Sequence, residues 1–343
     1  MIDISIDMLS VGNSDSIIVW LKDHNNNNFV ILIDGGNRSD GEKVIAHLNK
    51  YILPDAGKRA PDLIICTHHD KDHIAGLITV VEHYGANIGQ VWINNPAEHI
   101  SSNTYQNLKE TFRRQSQYKQ YQVILEALTN LDDFISIVDR KGIPRDHALF
   151  GQGLFDGVIK VLGPSDDFYK NLLPGMENME RYVSREADYA YNSIFGTAVI
   201  NESLEANSPC PIVDEENSTS ATNNSSVILE INAKENSRYL FTGDAGVSAF
   251  EDVETRFNLE GIHWLDVPHH GSRRNLTSRL IDTMSPKVCY ISAKGGTKHP
   301  RRALVNCLKK HGASVYCTKD GNNMWHHRGN FPDRKEYSSM DSM

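Results

Sequence analysis

Apolar and polar positions alternate with a period of two along the opening of the chain. Met1-Ile2-Asp3-Ile4-Ser5-Ile6-Asp7-Met8 predicts a strand over Asp3 to Leu9, and Ser16 to Leu21 and Phe29 to Ile33 predict two more. Asn25-Asn26-Asn27-Asn28 between the last two is a hairpin tip, because asparagine tolerates left-handed backbone. The period then changes. Val44, Ile45, Leu48 and Ile52 recur at helical spacing and predict a helix over Glu42 to Tyr51. Leu63-Ile64-Ile65-Cys66 reads as a buried strand, Ile74 to His83 as a helix and Val91 to Asn94 as a strand. Ser101 to Asn130, rich in Gln, Lys, Arg, Tyr and Leu, reads as helical, and residues 95–150 are expected to be a helical insertion. Strands are expected at Phe134 to Val138 and Gly157 to Leu162, and a helix at Met176 to Tyr191. Residues 201–224 mix acids with Ser, Thr, Asn and Pro and are expected to form a long mobile loop. The last third alternates strands (Ser226 to Ile231, Arg238 to Thr242, Trp264 to Val267, Val288 to Ser292, Ala313 to Thr318) with helices (Thr277 to Met284, Arg301 to His311), an α/β pattern.

Several of these strands end in residues that bind metals. Thr67-His68-His69-Asp70-Lys71-Asp72-His73 follows the Leu63 strand and packs five metal-capable side chains into six residues. Imidazole and carboxylate hold the divalent ions that activate water, and a pair of ions shares a bridging carboxylate. Alternate residues of His68-x-Asp70-x-Asp72-His73 on a tight loop can face one centre while Asp72 and His73 turn to another. Other strands end in Asp34-Gly35-Gly36, in Gly243-Asp244 and in Pro268-His269-His270-Gly271-Ser272. For Asp34 alone, a turn-forming role remains an equal alternative at this point.

Charge adds a substrate class. The net charge is -9, yet Gly271 to Lys310 carries ten basic residues against one acid, Asp282. Such segregation suits an enzyme acting on a phosphate-bearing substrate, although a solvated helix face near Arg301 to Lys310 explains part of it equally well. The 343 residues suit either one large α/β domain with insertions or two domains, and no apolar run reaches the length of a membrane span. With no secretion signal visible at the start, the expected location is the cytoplasm. Cys66, Cys210, Cys289, Cys307 and Cys317 are odd in number and scattered, and are expected to be reduced thiols.

Val11-Gly12-Asn13-Ser14-Asp15-Ser16, Leu32 to Gly36, His68 to Gly76, Asn224 to Leu229, Phe241 to Asp244, Val267 to Ser272 and His299-Pro300 follow one another in an order that resembles the metallo-β-lactamase superfamily. Within it they are most similar to the hydrolase domain of ComEC-type competence proteins. The resemblance implies a four-layer αββα metallo-β-lactamase sandwich over residues 1–343, with helical and loop insertions. It also implies two divalent ions, Zn²⁺ or Mn²⁺ with Mg²⁺ possible. His68 and Asp70 would serve one ion, Asp72, His73 and His270 the other, and Asp244 would bridge. Asp34 would orient the ligand loop from outside the ligand set, and His69 would point away; either histidine of the pair His269-His270 could ligate, and His270 is favoured because it abuts the glycine, which leaves His269 in an outer position. The third histidine usual at the first site is replaced by Asn224, Ser225 or Ser226, which favours Mn²⁺ or Mg²⁺.

The expected activity is hydrolysis of DNA or RNA phosphodiesters by a metal-activated hydroxide. Asp72, Asp244 and His299 are the catalytic candidates, and Ser272, Arg273, Lys294 and Lys298 the phosphate donors. The alternatives are hydrolysis of a lactone, thioester or small phosphoester, or a metal-binding subunit active only with a protein partner. No membrane partner is expected.

Overall fold

The computed structural model describes residues 2–195, 210, 218–296, 298–334, 337 and 343. Among them fourteen strands form two mixed sheets. The first holds β1 (Asp3–Met8), β2 (Ile17–Lys22), β3 (Asn28–Ile33), β4 (Leu63–Ile65), β5 (Gln90–Trp92), β6 (Arg145–Asp146) and β14 (Met324–Arg328), in the order β14-β1-β2-β3-β4-β5-β6. The second holds β7 (Gly153–Leu154), β8 (Ile159–Gly163), β9 (Ile228–Ala233), β10 (Ser237–Phe241), β11 (Ile262–Asp266), β12 (Val288–Ile291) and β13 (Ser314–Cys317), in the order β13-β12-β11-β10-β9-β8-β7. Each sheet is parallel on one side and antiparallel on the other.

Period-two patterning assigns each side chain to a layer. Ile4, Ile6, Ile17, Val19, Ile31 and Ile33 face inward to a core that also takes Leu229, Tyr239, Phe241 and Trp264 from the other sheet. Ile18, Trp20, Val30 and Leu32 face outward. Helices α1 (Gly41–His47), α2 (Lys71–Tyr84), α3 (Ser102–Arg114), α4 (Lys119–Arg140), α5 (Met179–Phe195), α6 (Val247–Glu254), α7 (Ser278–Met284) and α8 (Arg302–Lys310) supply most of the rest. α1, α2 and the second half of α4 cover the outer face of the first sheet, and α6, α7 and α8 that of the second. The result is the αββα metallo-β-lactamase sandwich. Fully burying each such aliphatic side chain contributes about 1.5–3 kcal/mol.

The stretch expected to be an insertion divides in two. Tyr105, Leu108 and Phe112 of α3 pack with Leu128, Met179 and Val183 in a separate small cluster, whereas Leu131, Phe134, Ile137 and Val138 of α4 join the outer core. The strand expected at Phe134 to Val138 is therefore helix. Its apolar residues continue the three-and-four spacing begun at Ala127 and Leu128, a longer-range periodicity that outweighs local strand propensity. Residues 201–209 and 211–217 of the expected loop lie outside the described residues, while Ala221–Asn224 is a helical turn.

One further expectation is corrected. Cys210 and Cys307, 97 residues apart, pair as a disulfide, leaving Cys66, Cys289 and Cys317 as buried free thiols. Sequence spacing carries no signal for so distant a pairing. His326 lies in β14 beside Tyr239 and Tyr290, because β14 pairs with β1 at the sheet edge. Burial and the nearby His263 lower its pKa to about 4.

Candidate metal centre

Loops leaving β3, β4, β10 and β11 meet at one edge of the sandwich. β3 ends in Asp34, held at φ 56°, and β4 runs into the His68 loop. Two glycines let these loops touch. A Cβ on Gly76 would lie 1.8 Å from the Gly35 carbonyl oxygen, and one on Gly35 would lie 2.4 Å from the Leu77 amide nitrogen. The Gly35 N–H donates to the His73 carbonyl at 2.8 Å and the Gly76 N–H to the Gly36 carbonyl at 2.9 Å. Asp70 is the N-cap of α2 and Asp72 lies in its first turn, where the helix dipole favours carboxylates. His269 and His270 both adopt left-handed backbone (φ 52° and 55°), so consecutive side chains enter the site from one turn.

Each imidazole is fixed through Nδ1. His73 Nδ1–H donates to Asp34 Oδ2 at 2.8 Å, and the same carboxylate accepts from the Thr67 amide at 2.8 Å and hydroxyl at 2.6 Å. His270 Nδ1–H donates to the Ser292 carbonyl at 2.9 Å, with Asp15 Oδ1 at 3.4 Å. His68 Nδ1 lies 3.2 Å from Ser226 Oγ, and His269 Nδ1 lies 3.2 Å from Asn275 Oδ1. These contacts orient the rings so that each Nε2 lone pair faces the site.

Nε2 atoms and carboxylate oxygens then gather in two groups around Asp244. His68 Nε2 lies 3.9 Å and His269 Nε2 3.7 Å from Asp244 Oδ2, with Asp70 Oδ2 3.7 Å from His68 Nε2. On the other side His73 Nε2 lies 3.4 Å from Asp244 Oδ1, and His270 Nε2 lies 3.4 Å from Asp72 Oδ2. Donors sharing one tetrahedral ion at about 2.0–2.2 Å lie about 3.3–3.6 Å apart, close to these separations. His68 Nε2, His73 Nε2, His270 Nε2 and Asp244 Oδ1 are buried and have no hydrogen-bond partner among the described residues. Such groups are expensive to bury unless something else satisfies them, and a divalent cation does so. The residues therefore fit the metals that the fold implies.

Electrostatics agree with a cation-ready cluster. Burial opposes charge on His73 and His270, yet in the metal-free chain the surrounding carboxylates, Asp244 and Asp34 for the first and Asp15 for the second, hold both pKa values well above the usual range. Burial lowers His269 instead, and it pushes His299, with help from His269 and His270, down to about 2. His69 lines a small separate pocket with Leu108, Tyr169 and Tyr182, where burial lowers it to about 4.

The cluster opens into a cavity of about 710 Å³. Asp70, Asp72, Asp244, His269, Ser272, Arg273, Lys298 and His299 line it, together with Asn13, Lys71, Arg274 and Arg301. Val123 and Ile124 of α4 and Tyr189, Ala190 and Ile194 of α5 also border it. Lys294 does not line the cavity; it is exposed, and its amide donates to Asn13 Oδ1. Asn224 bonds Ser248 and the Ser220 carbonyl, while Ser226 backs His68 and accepts the Asp244 N–H at 3.1 Å. Asp15, Asn275 and Ser292 are the supports that residue-by-residue reading missed. Asp15 sits inside a motif quoted above, but Asn275 and Ser292 act through single contacts that leave no pattern in sequence.

Fold and site together define a metallo-β-lactamase-type architecture whose His and Asp groupings could hold divalent metal, an architecture found mostly in metal-dependent hydrolases. Residues 9–99, from the end of β1 past the ligand loop and β5, match the Metallo-beta-lactamase superfamily. Comparison with curated proteins gave no match.

Proposed function

We propose that the chain is a two-metal phosphodiesterase acting on nucleic acid. His68, Asp70 and His269 form one ion's ligand set, Asp72, His73 and His270 the other's, and Asp244 is shared. His269 thereby takes the place of the third histidine usual at the first site. Each set holds two imidazoles and two carboxylates, an oxygen-rich composition that suits Mn²⁺ better than a three-histidine zinc site does. The ions, when bound, supply an activated water and neutralise charge developing on the phosphoryl oxygens.

The observation that carries the substrate class is the cationic lining opposite the ligands. Lys71, Arg273, Arg274, Lys298 and Arg301 border one cavity with the metal cluster. Arg273 and Ser272 bind the non-bridging oxygens, and Lys298, whose Nζ donates to the Ser193 carbonyl, ties α5 to that lining. His299 stays neutral and donates a hydrogen bond to the phosphoryl group or leaving oxygen rather than acting as an imidazolium acid. The order of motifs shared with ComEC-type hydrolase domains supports the same substrate.

Metal-free protein supplied with Mn²⁺, Mg²⁺ or Zn²⁺ and tested on single- and double-stranded DNA, RNA and a generic phosphodiester checks this reading. Turnover of nucleic acid, strongest with Mn²⁺ and abolished by Asp72→Ala or Asp244→Ala without loss of fold, is expected; undiminished turnover by either variant overturns it. The ceiling of α4 and α5 favours a second reading, a small phosphoester. That reading predicts substrate affinity nearly independent of salt, whereas nucleic-acid contacts weaken steeply as salt rises.

A further inference from the structure

Cys307 and His311 stand one helical turn apart at the end of α8, and Cys210 meets Cys307 from the other side. Both sulfurs and a ring nitrogen of His311 lie within 4.8 Å of one another. Asp282 of α7 holds the imidazole, its Oδ1 lying 3.4 Å from His311 Nδ1. A disulfide requires no imidazole beside it. A histidine at a helix C-terminus also serves the dipole, but that role requires neither two thiols within reach nor a carboxylate on the ring. Two sulfurs and one imidazole within reach of one another, with a carboxylate 3.4 Å from the ring, are the components of a zinc-type site.

We infer that the reduced chain binds a thiophilic divalent cation such as Zn²⁺ through Cys210, Cys307 and His311, and that the disulfide is the oxidised, metal-free state of this site. One tetrahedral position remains for water or the Asp282 carboxylate. Oxidation by a small-molecule disulfide R–S–S–R runs through two exchanges. One cysteine thiolate attacks an R sulfur, forming a mixed disulfide and releasing R–S⁻. The other thiolate then attacks the protein sulfur of that bond, forming Cys210–Cys307 and releasing the second R–S⁻. Two electrons pass to the oxidant, and the cation loses both sulfur donors.

Cobalt substitution of the full-length chain under a phosphine reductant tests this directly. The catalytic cluster has no cysteine donor, so a thiolate-to-cobalt charge-transfer band reports this site alone. The band should appear in the reduced wild type, vanish in Cys307→Ser, weaken in His311→Gln and disappear with release of one ion when the phosphine is removed and oxidised glutathione is added. It should persist in Asp244→Asn, which separates this site from the proposed catalytic pair. A reduced wild type without the band, a band unchanged in Cys307→Ser, or a Cys210–Cys307 bond that resists the reductant overturns the inference.

Discussion

His269 turns its Nε2 toward Asp244, while His69, equally adjacent to a ligand in sequence, turns into a pocket of Leu108, Tyr169 and Tyr182. Backbone geometry separates them. His269 sits at φ 52° in a left-handed turn that sends consecutive side chains the same way, whereas the extended loop after β4 sends neighbours to opposite sides. On the proposed ligand assignment, His269→Ala should lower metal affinity by at least the 10–100-fold typical of losing an orienting partner. His69→Ala should leave affinity unchanged. Metal titration of the two purified variants, monitored calorimetrically, separates these roles, and equal affinity in both would return His269 to an outer position.

At the scale of elements, the site depends on how closely β3's exit and the start of α2 approach. A methyl group at Gly76 has no room against the Gly35 carbonyl, so Gly76→Ala should destabilise the fold by roughly 1–3 kcal/mol or more. It should also weaken metal binding, since His73 is carried by the same helix; chemical denaturation with and without Mn²⁺ measures both. Most of the elements were legible because they obey a local period. β1 alternates, β2 and β3 are short apolar runs bounded by turn signals, and α8 keeps its helical spacing. The ligand loop was legible because five metal-capable residues crowd one turn. What stayed hidden depends on contacts distant in the chain: the helix through Phe134, the edge pairing of β14, the Cys210–Cys307 link and the supports from Asn275 and Ser292.

Across the whole molecule, charge is segregated and buried histidines couple stability to pH. His326 has a folded pKa near 4 against an unfolded value of about 6.5. Between those values the unfolded chain binds a proton that the folded chain refuses, so stability is lost as pH falls from about 6.5 toward 4. His326→Phe should remove part of that loss, on the order of 1–3 kcal/mol, in thermal unfolding of the metal-free protein. An identical pH dependence in wild type and variant would assign the loss to other groups. The basic stretch from Gly271 to Lys310 brings Arg273, Arg274, Lys298 and Arg301 to the cavity, so part of the molecule's charge asymmetry is local to the metal cluster. The claim that joins cluster and charge is tested most directly by adding Mn²⁺ stepwise to metal-free protein while following hydrolysis of a single-stranded oligonucleotide. Activity should rise to a plateau at two ions per chain and be absent throughout in Asp244→Asn. Hydrolysis without added metal, or the same plateau in the variant, would contradict it.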